Sequence, residues 1–272
     1  MNIAQKVTRT IKDLLPQKMK RILNLYLKCD SQLRYHILNS TANYSQVNLT
    51  PWAESSLEIV QVQVKKLHEN QKLGWNYYSG SLSREIVKTF ESSVLNLIPH
   101  FQSVNFLEIG SNQGISMSVI ALMLKSQGVL GQLVSIDPYF ENGYAEGLRS
   151  PWKKEDKIKV NKANKVRAFW LYKSLDLDVE LLETISVNAL VKLIKDGRKF
   201  HLIYIDALHE GLNPMIDFVL SSVLLHPNGI LMLDDYHWPD VAVVKSLCDQ
   251  NCIRIHECWR VAAYKFHVNL NQ

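Results

Sequence analysis

From residue 104 onward, short apolar runs alternate with stretches of helical spacing, and this alternation limits the possible folds more than any other feature of the chain. The runs are Val104–Ile109, Leu133–Ile136, Val179–Thr184, His201–Ile205 and Ile230–Leu233. Each is apolar along most of its length rather than at every second residue, as strands are when both faces of their sheet are covered. Strands of this kind separated by helices predict a parallel sheet wrapped on both sides. Two further runs, Ile253–Glu257 and Val261–Phe266, are separated by a short turn and predict an antiparallel hairpin on the sheet edge. The expected fold is therefore α/β, a doubly wound and mostly parallel sheet over residues 81–272. Residues 1–80 are expected to form an N-terminal helical extension.

The extension carries the charge. The chain has 272 residues and a net charge of +5. Residues 1–30 hold Lys6, Arg9, Lys12, Lys18, Lys20, Arg21 and Lys28 against Asp13 and Asp30, which accounts for the whole excess. A neutral body argues against an extended phosphate-binding face, so no nucleic acid partner is expected. Apolar residues Ile3, Val7, Ile11, Leu14 and Leu15 recur at helical spacing among the basic ones. Such a segment packs on its own domain or on a second copy, making a homodimer; docking to a membrane surface is the less favoured alternative. A second helix is expected over residues 52–70, a loop at Gly74–Gly80, and another helix over 81–98. No apolar run reaches the roughly 18 residues of a spanning helix. No secretory signal is visible, and four scattered cysteines fit reduced thiols in a cytoplasm.

In an open parallel sheet, ligands bind beyond the carboxyl ends of the strands. After the first run comes Glu108-Ile109-Gly110-Ser111-Asn112-Gln113-Gly114-Ile115-Ser116. Gly110 and Gly114 allow a tight turn and close approach of a ligand, and the next helix opens with free amides. The spacing lacks the middle glycine of the dinucleotide fingerprint, where Asn112 falls instead. After the second run comes Asp137, 23 residues beyond Gly114. A carboxylate at about that offset accepts hydrogen bonds from a ribose diol, so the two features together predict a nucleoside-containing ligand.

Glu-x-Gly-x-x-x-Gly followed by an acidic residue closing the second strand resembles the class I S-adenosylmethionine-dependent methyltransferases. Tyr204-Ile205-Asp206-Ala207-Leu208-His209 and Gly229-Ile230-Leu231-Met232-Leu233-Asp234-Asp235-Tyr236 are similar to the macrocin-type O-methyltransferases of natural-product biosynthesis, and more distantly to the catechol O-methyltransferase group. The resemblance spans roughly residues 83–266. It implies a Rossmann-like methyltransferase fold and S-adenosyl-L-methionine held by Glu108, Gly110, Ser111, Asn112, Gly114, Ser116, Asp137 and Asp206. Ser186, and Asn188 beside it, would lie near the adenine ring. It further implies Mg²⁺ on Asp206, Asp234 and Asp235, His209 as base, and a hydroxyl of a glycosylated or polyhydroxylated small molecule as acceptor.

The acidic cluster has its own chemistry. Neighbouring strands lie about 4.8 Å apart, so the three carboxylates would converge at one end of the sheet and repel one another without a cation. A hard divalent ion with oxygen ligands suits them. His209, three residues past Asp206, could take the proton from an acceptor hydroxyl, since imidazole titrates near neutrality. His237 is the rival base. Each also has a structural reading: the aspartates as helix caps, His209 and Ser186 as loop ties. Cys248, Cys252, Cys258 and His256 have poor zinc spacing. Tyr139, Phe140, Tyr144, Trp152, Tyr236 and Trp238 are candidate acceptor aromatics, and residues 139–157 read as an insertion over the cleft. Two other functions stay open. One is a nucleotide-dependent dehydrogenase on the same sheet topology, and the other is a methyltransferase-fold protein that docks to a macromolecule or membrane.

Overall fold

The computed structural model describes residues 47–71, 82–139 and 154–266. The basic segment 1–30, with the dimer and membrane expectations tied to it, lies outside them. So do the loop at 74–80, residues Phe140, Tyr144 and Trp152, and most of the 139–157 insertion.

Two helices lead into the sheet, α1 (Pro51–Gln71) and α2 (Arg84–Leu97). They are followed by β1 (Val104–Ile109), α3 (Ile115–Ser126), β2 (Leu130–Ile136), α4 (Lys154–Ser174) and β3 (Val179–Leu182). Then come α5 (Ser186–Lys195), β4 (Phe200–Ile205), α6 (Asn213–Leu224), β5 (Leu225–Leu233), α7 (Pro239–Asn251), β6 (Cys252–Glu257) and β7 (Ala262–Phe266). The sheet order is β3-β2-β1-β4-β5-β7-β6. The first five strands pair in parallel; β7 runs antiparallel to β5, and β6 closes the edge antiparallel to β7. The apolar runs are thus the parallel strands and the last two the edge hairpin, as their patterning predicts. No helix among the described residues is long and apolar enough to cross a membrane.

Alternation along each strand divides the interior in two. Phe106, Leu202, Tyr204, Ile230 and Met232 face one layer with α1, α2, α3 and α4. Leu107, Ile109, Ile203, Ile205, Leu231 and Leu233 face the other, with α5, α6 and α7. Covering both faces is what lets these strands be apolar throughout.

The first layer includes Ala53, Leu57, Val60 and Val64 of α1, so part of the segment assigned to the N-terminal extension shares a core with the sheet. Polar ties reinforce this. Arg84 grips Glu54 with both guanidinium arms at 2.5 Å, and the amide of Thr50 donates to the buried Glu91 carboxylate at 2.6 Å.

Candidate active site

The site is built where β1, β2, β4 and β5 end. Between Ile109 and α3 the chain turns through Gly110 (φ +97°) and Gly114 (φ +75°), values that favour glycine. Gly110 lies so near β4 that a Cβ there would be 2.0 Å from the Asp206 carbonyl oxygen. A Cβ on Gly114 would be 2.7 Å from the Tyr172 ring. The glycine loop is therefore pressed against both the β4 terminus and α4.

Asn112, at the loop's tip (φ +46°), ties it to its neighbours. Its amide donates to Asp137 at 2.8 Å, its carbonyl accepts from the Tyr139 hydroxyl at 2.9 Å, and its side-chain oxygen accepts from Asn164 at 2.5 Å. Arg167 in turn donates to Asn164 at 3.0 Å. The other Asp137 oxygen accepts the Tyr139 amide at 2.9 Å. Asp137 therefore fixes the glycine loop, and it stands at the end of β2 beside that loop.

Several sequence-selected residues brace the loop from beneath. Glu108 is fully buried; Ser116 and Ser135 donate to it, the latter at 3.3 Å. Burial, with Asp206 adding to the effect, pushes its carboxyl up to about 8. Ser111 is buried against the Tyr172 hydroxyl at 2.7 Å. Tyr139, read as an acceptor aromatic, is 3% exposed and its hydroxyl faces Asn112, so it belongs to the loop's packing. Ser186 is the first residue of α5.

At the ends of β4 and β5 the structure gathers Asp206, His209 and Asp235, with one ligand atom from each within 4.8 Å of the others. His209 Nε2 is 3.5 Å from Asp206 and 3.7 Å from Asp235, is buried, and has no hydrogen-bond partner among the described residues. Its ring lies nearly parallel to Trp238, with centroids 5.8 Å apart and planes at 28°. His237 Nδ1 is 3.8 Å from the same Asp235. Burial and the crowding of like charges push Asp206 and Asp235 above the usual carboxylate range.

Asp234, placed by the sequence reading in this group, adjoins Asp206 and helps to push its carboxyl up, although its main hydrogen-bond partners lie elsewhere. Alternation sends Asp234 to the side of Met232 and Tyr204, while a left-handed turn at Asp235 (φ +50°) redirects the chain. Asp234 is 1% exposed. Arg260 clasps it with Nε and Nη2, each at 2.6 Å, the Tyr204 hydroxyl donates to it, and so does the Asp235 amide at 2.7 Å. Arg260 Nε also stands 3.1 Å from Asp235 Oδ1. Sequence reasoning missed Arg260 because it sits in the turn between β6 and β7, far along the chain from any motif. Asn164 and Arg167 were hidden among the many polar residues of α4.

The cysteine cluster shows no gathering of this kind. Cys248 is buried and Cys252 and Cys258 half-buried, all as free thiols, while His256 Nδ1 meets the Thr89 hydroxyl at 3.0 Å.

One buried acid below the site makes a separate prediction. Asp217 of α6 is 1% exposed and has Ser186 and His209 as its polar neighbours. Burial pushes it up to about 7, against an opposing pull from Ser186 and His209. Between the ordinary carboxylate value and about 7 the folded protein binds a proton that the unfolded chain releases, so stability falls as pH rises through that window. Asp217→Asn is expected to remove this slope and to gain on the order of 3 kcal/mol over the parent at pH 8. Chemical denaturation from pH 5 to 8 would show it; parallel curves for the two proteins would refute it.

A family model described as a methyltransferase domain matches residues 107–236, from β1 through the Asp-Asp-Tyr segment. No curated protein matches the chain. Among solved structures, the O-methyltransferase NovP is similar with a TM-score of 0.52 at 13% identity, over 79% of this chain and 99% of that one. Cofactor-bound Rv0187 from MTB gives a TM-score of 0.51 at 14% identity, over 79% and 90%. At such identities these likenesses speak for the fold. With the sheet order, these likenesses show that the chain shares the fold of the O-methyltransferase NovP, and residues 107–236 are similar to a methyltransferase domain.

Proposed function

We propose that the protein is an S-adenosylmethionine-dependent O-methyltransferase that acts on a hydroxyl of a small molecule, with a glycosylated or polyhydroxylated natural product as the leading class. One observation carries this reading: the glycine loop touches the backbone of Asp206, so the cofactor loop and the Asp206–His209–Asp235 group share one cleft. NovP, itself an O-methyltransferase, has the same fold.

Asp137 and the amides of the loop after Gly110 would hold the cofactor's nucleoside, which would bring a methyl sulfonium close to Asp206. His209 Nε2, buried and unpartnered, takes the proton from the acceptor hydroxyl. Trp238 restrains the imidazole by stacking on it, and being 39% exposed it also offers a flat face to the acceptor ring. Most of the acceleration comes from alignment of hydroxyl and methyl group, because the sulfonium is already reactive.

The side chains also fit a divalent cation. Asp206, Asp234 and Asp235 set three negative charges against the single positive charge of Arg260. Asp206 and Asp235 supply hard oxygen donors of the kind Mg²⁺ takes, commonly one or two carboxylates with the remaining positions left to water and substrate. Such an ion would supply positive charge that favours the ionised hydroxyl. The free thiols and the absence of a membrane-crossing helix among the described residues are in keeping with a cytoplasmic setting.

Calorimetric titration of S-adenosylmethionine, once with Mg²⁺ and once with EDTA, followed by polyhydroxylated acceptors, tests the proposal. Micromolar cofactor binding in both conditions is expected, with acceptor binding only when Mg²⁺ is present. A protein that binds no S-adenosylmethionine in either would end this reading.

A further inference from the structure

We propose that His201 is a pH-sensitive latch: as a neutral imidazole it closes the amino-terminal end of the β1–β4 ladder, and on taking up a proton it releases that end. This end of the sheet lies opposite the cleft, and the inference does not depend on the methyltransferase reading.

The β1–β4 pairing begins at Phe106 and Leu202. One residue earlier on each strand stand Asn105 and His201, at the steps where β1 slips against β2 and β4 slips against β5. There a side chain takes the place of a backbone partner: the Asn105 amide donates to His201 Nδ1 at 2.9 Å. The Asn105 side chain fastens the neighbours, accepting from the Gln132 amide at 3.0 Å and donating to the Lys199 carbonyl at 3.3 Å. An imidazole nitrogen that accepts from an amide carries no hydrogen, so the proton of neutral His201 sits on Nε2. Imidazolium has a hydrogen on both nitrogens and would set one N–H against another. The bond is therefore open to the neutral ring alone.

The surroundings of the ring also oppose its protonation. Phe101 lies 4.3 Å from it between centroids, and His226 lies 4.8 Å away with the two planes tilted by 37°. His226 Nδ1 donates to the Pro227 carbonyl at 2.6 Å, and its ring meets Phe101 edge-on at 5.2 Å. The other titratable groups at this end are His100 ahead of β1, Lys265 of β7, which stands 3.4 Å from His100, and Lys199 just before β4. None of them is a carboxylate that would stabilise the cation. Burial and the neighbouring His226 both hold His201 below the ordinary histidine value. The unfolded chain then takes up this proton at a higher pH than the folded one, so stability is lost as pH falls below about 6.5. At their far ends β1 and β4 lead into Gly110 and Asp206, so the strands that acid loosens are those that hold the cleft together.

Chemical denaturation of the full chain at about pH 7.5 and about pH 5.5 tests the latch. His201→Asn is the control, since it keeps an acceptor near the Nδ1 position and cannot titrate. Between those conditions the folding equilibrium constant of the parent is expected to fall at least about threefold further than that of His201→Asn. The difference between the two proteins is the quantity to read, because Asp217 titrates in an overlapping range with the opposite sign. Long-range ¹H–¹⁵N spectra of the parent's histidines give a second readout that no substitution disturbs. His201 should hold its proton on Nε2 at neutral pH and titrate below the ordinary value. Equal pH dependence in parent and His201→Asn would overturn the inference, as would a His201 that carries its proton on Nδ1 or titrates at or above that value. Should His201→Asn fail to fold, the spectra alone decide.

Discussion

His209→Ala is expected to lower turnover by about 10²-fold or more while leaving S-adenosylmethionine affinity within about threefold. The two halves of that expectation come from different parts of the structure. His209 lies in the segment between β4 and α6, and its Nε2 points at Asp206 and Asp235. The glycine loop is instead held by Asp137, Tyr139, Asn164 and Tyr172, none of which depends on His209. Loss of the imidazole removes a proton acceptor and its stacking contact with Trp238, and leaves the cofactor loop intact. A purely structural histidine would behave differently: its removal would lower the melting temperature and weaken both ligands together. Steady-state rates combined with cofactor titration distinguish the two. Turnover unchanged in His209→Ala but lost in His237→Ala would transfer the role to His237, which faces the same Asp235 from 3.8 Å.

The fold was legible in the sequence because a doubly covered strand leaves a simple mark. Val104–Ile109 and Ile230–Leu233 are apolar on both parities since each parity meets its own helical layer. Strand ends were legible for a related reason, as the polar residue that breaks an apolar run marks where a side chain leaves the core. That logic picked out Gly110, Asp137, Asp206, Asp234 and Asp235 as residues at the strand ends, which is where they stand. It could not separate Asp234 from Asp235, because the difference depends on a single left-handed residue and on an arginine 25 positions away that sequence spacing does not connect to it. Nor could it assign Tyr139: an aromatic after a strand looks the same whether its ring faces a ligand or, as here, its hydroxyl closes a loop on Asn112. Local pattern carries the sheet; contacts between distant loops carry the polarity of the site.

Gly110→Ala is expected to abolish cofactor binding and to destabilise the fold by about 2–4 kcal/mol. Two effects add at this position, and other glycines separate them. Gly128 also has a positive φ (+68°), but a Cβ there would meet nothing within 4 Å. Gly128→Ala therefore measures left-handed strain alone, about 1 kcal/mol. At Gly110 the φ is +97° and the added Cβ would stand 2.0 Å from the Asp206 carbonyl oxygen and 2.6 Å from its carbon. Those are backbone atoms at the end of a central strand, bonded to β1 through the Asp206 amide and the Ile109 carbonyl at 2.8 Å, and they cannot swing aside as a side chain can. Relief requires the β1 and β4 termini to part, which would separate the glycine loop from the Asp206–His209–Asp235 group. Gly114→Ala is the intermediate case, since its obstacle is the Tyr172 ring at 2.7 Å. Denaturation and S-adenosylmethionine titration of the three variants should rank Gly110 above Gly114 above Gly128 in both readouts. A Gly110→Ala protein as stable as Gly128→Ala, with cofactor affinity retained, would mean that the loop does not depend on this close approach, and the shared cleft inferred from it would lose its support.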